Sequence, residues 1–180
     1  MSSSNIKKIV IVGPESTGKS SLCAALSEYY QSIWCPEYAR EYLLTNGRDY
    51  KHEDLLTIAK GQLQLEEEYA KKMNAVASSK YLFIDTDMYV MKVWCEFVFG
   101  QCHKFILDQI VTREYDAYLL CKPDIPWVQD ELREYPDEST RIRLYHYYKD
   151  LMIHQSTPWV EVEGGYEDRL QTAIKFLDEC

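Results

Sequence analysis

The chain has 180 residues, 46% of them hydrophobic, with a formal net charge of −9 and a pI near 5.0. That length suits one domain with a substantial core. The acidity argues against a nucleic-acid surface as the main purpose, and any bound polyphosphate must meet positive charge supplied locally.

The opening segment, Met1-Ser2-Ser3-Ser4-Asn5, is polar, and Lys7 and Lys8 interrupt the apolar run over residues 6–12, so no signal segment is expected. Eighteen apolar residues never run together, and no membrane span is expected. The six cysteines (Cys23, Cys35, Cys95, Cys102, Cys121, Cys180) form neither a Cys-x-x-Cys pair nor a zinc spacing. Free thiols in a reducing, cytoplasmic setting are the plain reading.

No internal repeat or Gly/Ser linker divides the chain, so residues 1–180 read as a single domain. A β-branched run over 6–12 predicts the first strand, and 19–31 predicts a helix with Leu22, Ala25, Leu26 and Tyr29 on one face. A short strand over 32–35 stops at Pro36. A helix over 37–44 ends near Asn46-Gly47, and a long helical pattern fills 52–79. Residues 80–85 return to strand. Helices follow over 88–98 and 104–114, separated by a break at Phe99-Gly100. Residues 117–121 are a further strand. A charged loop with three prolines (Pro123, Pro126, Pro136) leads to a helix over 139–154, a strand over 158–162 and a closing helix over 166–179. Strands alternating with helices predict an α/β fold, a mostly parallel sheet covered on both faces. Ligands of such sheets sit beyond the carboxyl ends of the strands. The residues that matter are therefore those after positions 12, 35, 85, 121 and 162.

After the first strand stands Gly13-Pro14-Glu15-Ser16-Thr17-Gly18-Lys19-Ser20-Ser21, a G-x-x-x-x-G-K-S sequence opening a helix. Phosphate oxygens need several converging donors, and backbone N–H groups at a helix N-terminus supply them. Gly13, Glu15, Ser16, Thr17, Gly18, Lys19, Ser20 and Ser21 are the expected nucleotide loop. Lys19 would reach the β/γ-phosphates and Ser20 would ligate Mg²⁺. After the second strand, Glu37 and Arg40 would share a helix face. Glu37 suits a proton acceptor or a holder of Mg²⁺-bound water, and Arg40 suits the transferred phosphoryl group; an ordinary surface ion pair is the alternative. Asp85 ends an apolar strand and fits the acid that organises Mg²⁺ opposite Ser20. Asp87 is the candidate for gripping ribose hydroxyls, with helix capping as its alternative.

Cys121-Lys122-Pro123-Asp124 resembles a guanine-binding N-K-x-D only loosely: Cys121 replaces the Asn and no D-x-x-G follows Asp85, which sets GTPase aside. Arg133, Arg141 and Arg143 lie in or beside a lid region of about 122–143. Arg133 is the one assigned to ATP and catalysis. In Glu163-Gly164-Gly165-Tyr166, Gly164 and Tyr166 would border the adenine.

The chain resembles the ribosylnicotinamide kinase domain of NadR-type NAD-salvage proteins, within the P-loop kinases. The matching pieces are the Gly13–Ser20 loop, Pro36-Glu37-Tyr38-Ala39-Arg40-Glu41-Tyr42-Leu43, Asp85-Thr86-Asp87, Val93-Trp94 through Phe99-Gly100, Tyr115 through Trp127 on to Asp130 and Arg133, and Val162 through Leu170. The resemblance implies a three-layer fold with five strands in the order 2-3-1-4-5. It also implies ATP- and Mg²⁺-dependent phosphorylation of the 5′-hydroxyl of nicotinamide riboside, and a small-molecule partner rather than nucleic acid or membrane. A monomer or small homo-oligomer is expected. Glu37, Tyr38, Arg40, Asp87, Trp94, Trp127 and Asp130 are the expected substrate-binding residues. Trp34, Tyr38, Trp94 and Trp127 are the aromatic candidates for a cationic base. The chain departs from the family in lacking an H-x-G-H motif and a helix-turn-helix module, and in reading Asp130-Glu131-Leu132-Arg133 where Asp-Gly-Leu-Arg is expected. A kinase for another nucleoside or hydroxyl metabolite, and a regulatory ATPase, stay open.

Overall fold

The computed structural model describes residues 6–76 and 78–180. The polar segment 1–5 and residue 77, inside the helical pattern of 52–79, lie outside the described residues. The chain runs β1 (Lys7–Val12), α1 (Lys19–Tyr29), β2 (Ile33–Cys35), α2 (Tyr38–Asn46), α3 (His52–Val76) and β3 (Tyr81–Asp85). It continues through α4 (Met88–Phe99), α5 (Lys104–Thr112), β4 (Ala117–Cys121), α6 (Glu138–Ile153), β5 (Trp159–Val162) and α7 (Tyr166–Glu179). The strands form one five-stranded sheet in the order β2-β3-β1-β4-β5, and every ladder is parallel. That is the expected order.

Strand side chains alternate between faces, and each face buries a different set. Ile9, Ile11, Phe83 and Leu119 pack against Leu22 and Leu26 of α1 and Ala173, Ile174 and Leu177 of α7. On the opposite face Val10, Val12, Ile84 and Leu120 meet Val90 and Val93 of α4 and Leu144, Tyr148 and Met152 of α6. A third cluster joins α2, α3, α4 and α5 through Ala39, Leu55, Ile58, Met91 and Ile106. All six cysteines are free thiols. No helix among the described residues is long and apolar enough to cross a membrane.

Two local departures from the expected elements shape the site. Helix α2 begins at Tyr38, so Glu37 is its N-cap with extended backbone (φ −71°, ψ 115°) and not a member of the helix. The preceding Pro36 cannot donate an N–H and sets the entry to the helix at this point. The Glu37 side chain makes no capping bond. Between β3 and α4, Thr86 has φ 72°, and its N–H donates to Ile11 O at 3.2 Å. A β-branched residue with positive φ is costly, and here it swings the chain sharply between Asp85 and Asp87.

Candidate active site

The loop after β1 bends through Gly13 (φ 140°), Ser16 (φ 55°) and Gly18 (φ 77°). A Cβ on Gly13 would stand 2.7 Å from the Cys121 carbonyl oxygen at the end of β4, so only glycine lets the loop pass there. Thr17 Oγ1 and Lys19 Nζ both donate to Pro14 O, at 2.8 and 2.7 Å. The lysine ammonium therefore lies across the loop. Ser20, in the first turn of α1, donates its hydroxyl to Asp85 Oδ2 at 2.5 Å.

Asp85 ends β3 at 1% exposure, and its Oδ1 has no hydrogen-bond partner among the described residues. Burial holds its carboxyl above the usual range, against the Lys19 charge and the Ser20 bond. A buried, unpartnered carboxylate oxygen beside a hydroxyl fits a hard divalent cation that takes its remaining ligands from phosphate and water.

These groups line a cavity of about 550 Å³. Its walls carry Glu37, Arg40 and Arg133, together with the aromatic side chains of Tyr50, Trp94 and Tyr135. Burial pushes the Glu37 carboxyl up to about 7, reinforced by the Asp85 charge and opposed by Lys19 and Arg40. A carboxyl near neutrality beside the phosphate loop can take up a proton from a hydroxyl.

Most of the expected residues come together here: Gly13, Glu15, Ser16, Thr17, Gly18, Lys19, Ser20, Ser21, Glu37, Arg40, Asp85, Trp94, Asp130, Arg133 and Tyr166 all line the cavity. Tyr166 lies over the loop, its Cε1 3.3 Å from where a Gly18 Cβ would stand. Arg40 pairs with the lid rather than with Glu37, its two terminal nitrogens forking the Asp130 carboxylate at 3.1 and 3.0 Å. Of the three lid arginines, Arg133 faces the cavity and donates to Val128 O. Arg141 is buried, with Nη1 3.5 Å from Ile125 O, and Arg143 covers the rings of Phe97 and Tyr147.

Four of the expected residues, Asp87, Tyr38, Trp127 and Gly164, are not among those that line the cavity. Asp87 is the N-cap of α4, 2% exposed, and both its oxygens are engaged. Oδ1 accepts from Tyr89 N and Val90 N (2.9 and 3.3 Å) and Oδ2 from the Tyr118 hydroxyl (2.9 Å). The turn at Thr86 aims it away from its neighbour Asp85. The Tyr38 ring fills the space over Gly61, where a Cβ would come within 2.1 Å of it, and its N–H donates to Gln62 Oε1. Trp127 turns its indole N–H to Glu15 Oε1 at 3.4 Å. Gly164 forms a turn whose N–H donates to Asp124 Oδ2 at 2.7 Å.

Sequence reasoning gave no role to Arg169, which the structure buries at 1% exposure. Its guanidinium donates to Gly164 O, Thr17 O and Lys122 O (2.9, 3.0 and 3.0 Å) and pairs with Asp124. It thereby ties the loops after β1, β4 and β5 together. Tyr50 was also missed: its hydroxyl accepts from Trp94 Nε1 (2.9 Å) and donates to Glu134 Oε2 (3.0 Å). The sequence holds 15 tyrosines, and nothing in their spacing says which rings meet.

An AAA domain family model matches residues 8–169. The trifunctional NAD biosynthesis/regulator protein NadR of Salmonella typhimurium is 27% identical over 179 residues, covering 97% of this chain and 42% of that protein. The chain thus spans under half the length of this relative. Among solved structures, a NadR protein in complex with NR superimposes with TM-score 0.75 at 24% identity, over 97% of this chain and 49% of the other. A NadR protein in complex with NAD and AMP-PNP gives TM-score 0.70 at 21% identity, over the same shares.

Proposed function

Because the chain belongs to the AAA domain family, we propose that its phosphate loop holds ATP and Mg²⁺ and transfers the γ-phosphoryl group to the 5′-hydroxyl of nicotinamide riboside, giving nicotinamide mononucleotide. The observation that carries this reading is Glu37: a carboxyl raised to about 7, in the same cavity as the Ser20–Asp85 pair and an aromatic wall. The relative's name in NAD biosynthesis and the bound NR and AMP-PNP of the two structural neighbours support the choice of acceptor and donor.

On this reading the loop N–H groups and Lys19 bind the phosphates. Ser20 and Asp85 would hold Mg²⁺, which would supply neutralisation of phosphate charge. Glu37 takes the proton of the acceptor hydroxyl as its oxygen bonds to the γ-phosphorus and the bond to the β–γ bridging oxygen breaks, releasing ADP. Arg133 balances charge on the transferred group. The faces of Tyr50, Trp94 and Tyr135 hold the positively charged base. The partners are then small molecules, and the buried thiols suit a reducing cytoplasm.

Turnover of nicotinamide riboside by the wild type and by Glu37→Gln tests this. The substitution should lower kcat about a hundredfold or more, with little change in the acceptor's KM. Only the ionised carboxylate accepts a proton, so wild-type activity should rise with pH through a value near 7. The variant should lose that limb. A Glu37→Gln protein with wild-type kcat and the same pH profile would remove Glu37 from the chemistry.

A further inference from the structure

We propose that Glu15 is a positioning residue: a clasp by which the phosphate loop holds the lid and so places Arg133 over the transferred phosphoryl group. The inference rests on the kinase reading of the site but not on which acceptor is used.

Glu15 lies inside the phosphate loop, where backbone N–H groups turn toward an anion. A carboxylate aimed at the same anion would be repelled. Its side chain instead reaches across to the lid, where Oε1 accepts from Tyr135 N (2.5 Å) and Trp127 Nε1 (3.4 Å) and Oε2 from Glu134 N (3.0 Å). The next residue repeats the move, Ser16 Oγ accepting from Val128 N at 3.0 Å. Two successive loop side chains therefore fasten the lid at Trp127–Val128 and again at Glu134–Tyr135. Between these points Arg40 forks Asp130, which accepts from Leu132 N (3.1 Å) and, through its carbonyl, from Arg133 N (3.2 Å).

Arg133 thus sits in a short stretch pinned on both sides. Residues 122–137 contain no helix or strand, so the stretch has no ladder of its own to hold it. Backbone N–H bonds to a carboxylate are stronger than neutral ones, and Glu15 makes two of them next to Arg133. A guanidinium misplaced by about an ångström costs on the order of a hundredfold in rate. An open lid also admits water as a competing acceptor.

The test is a double-mutant cycle of Glu15→Ala and Arg133→Ala, with Glu15→Gln as the conservative variant. It reads ATP consumption and product formation with whichever nucleoside the wild type phosphorylates best. Glu15→Ala should lower kcat about ten- to a hundredfold with the KM for ATP changed less than about threefold. It should also raise the ATP hydrolysed per product formed. Adding it to Arg133→Ala should cost nothing further, because Glu15 acts through Arg133. Glu15→Gln should recover part of kcat, its amide oxygen still accepting one N–H. Amide exchange at Glu134 and Tyr135 should quicken in Glu15→Ala while β1 stays protected, which separates a loosened lid from a misfolded chain. Additive losses, unchanged exchange at those amides, or a loss confined to the KM for ATP would overturn the clasp. A nucleoside other than nicotinamide riboside as best acceptor would overturn the proposed substrate and leave the clasp standing.

Discussion

Lys19→Ala is expected to reduce phosphoryl transfer by about a thousandfold or more while the protein stays folded. The side chain of Lys19 is partly exposed and, among the described residues, bonds only to Pro14 O of its own loop, so no core packing depends on it. A unit charge about 4 Å from another is worth about 4 kcal/mol at the effective dielectric of a protein surface. At about 1.4 kcal/mol per decade, that is roughly three orders of magnitude on a charge-developing step. The ammonium also opposes the burial that raises Glu37 and Asp85. Its loss should move any surviving pH limb upward. Steady-state turnover read beside a thermal melt checks this, and a folded Lys19→Ala protein with normal turnover would remove the phosphate-loop assignment.

Asp85→Asn should cost several kcal/mol of transition-state stabilisation, again a thousandfold or so, specifically in the Mg²⁺-dependent reaction. Asparagine keeps the shape and can still accept the Ser20 hydroxyl, but it lacks the charge that the unpartnered Oδ1 offers to a cation. Calorimetric titration separates this from a structural role. ATP should bind the variant as well as the wild type without Mg²⁺, and Mg²⁺ should no longer tighten that binding. Since burial already disfavours the ionised carboxyl, the variant should melt no lower than the wild type. Loss of ATP binding in the absence of Mg²⁺ would mark Asp85 as structural.

The expected residues that the structure gathers in the cavity share one property: their position follows from a strand end. Lys19 and Ser20 open the helix after β1, Glu37 stands just past β2 and Asp85 ends β3, and a parallel sheet delivers such positions to one edge. The alternation of apolar strands and amphipathic helices gave the layers, while the strand order came from the family resemblance. Placement was not legible where a local torsion or a distant partner decides it. Asp85 and Asp87 are two residues apart, yet the positive φ of Thr86 sends one to the cavity and the other to cap α4. Tyr38 follows Glu37 directly, but the start of α2 between them turns its ring onto Gly61. Glu15 meets partners 112 to 120 residues away, and Arg169 closes on Thr17 from 152 residues off. No spacing rule reaches that far.

The acceptor is decided by kcat/KM for Mg²⁺- and ATP-dependent phosphorylation of nicotinamide riboside beside uridine, adenosine and thymidine, with each product identified by mass. A positively charged base gains from the aromatic faces of Tyr50, Trp94 and Tyr135 and from the Glu134 carboxylate in the same cavity. The three neutral nucleosides gain less. Nicotinamide mononucleotide is the expected product, with the highest kcat/KM for nicotinamide riboside; equal or faster phosphorylation of a neutral nucleoside, or ATP hydrolysis with no nucleoside phosphorylated, would overturn this acceptor.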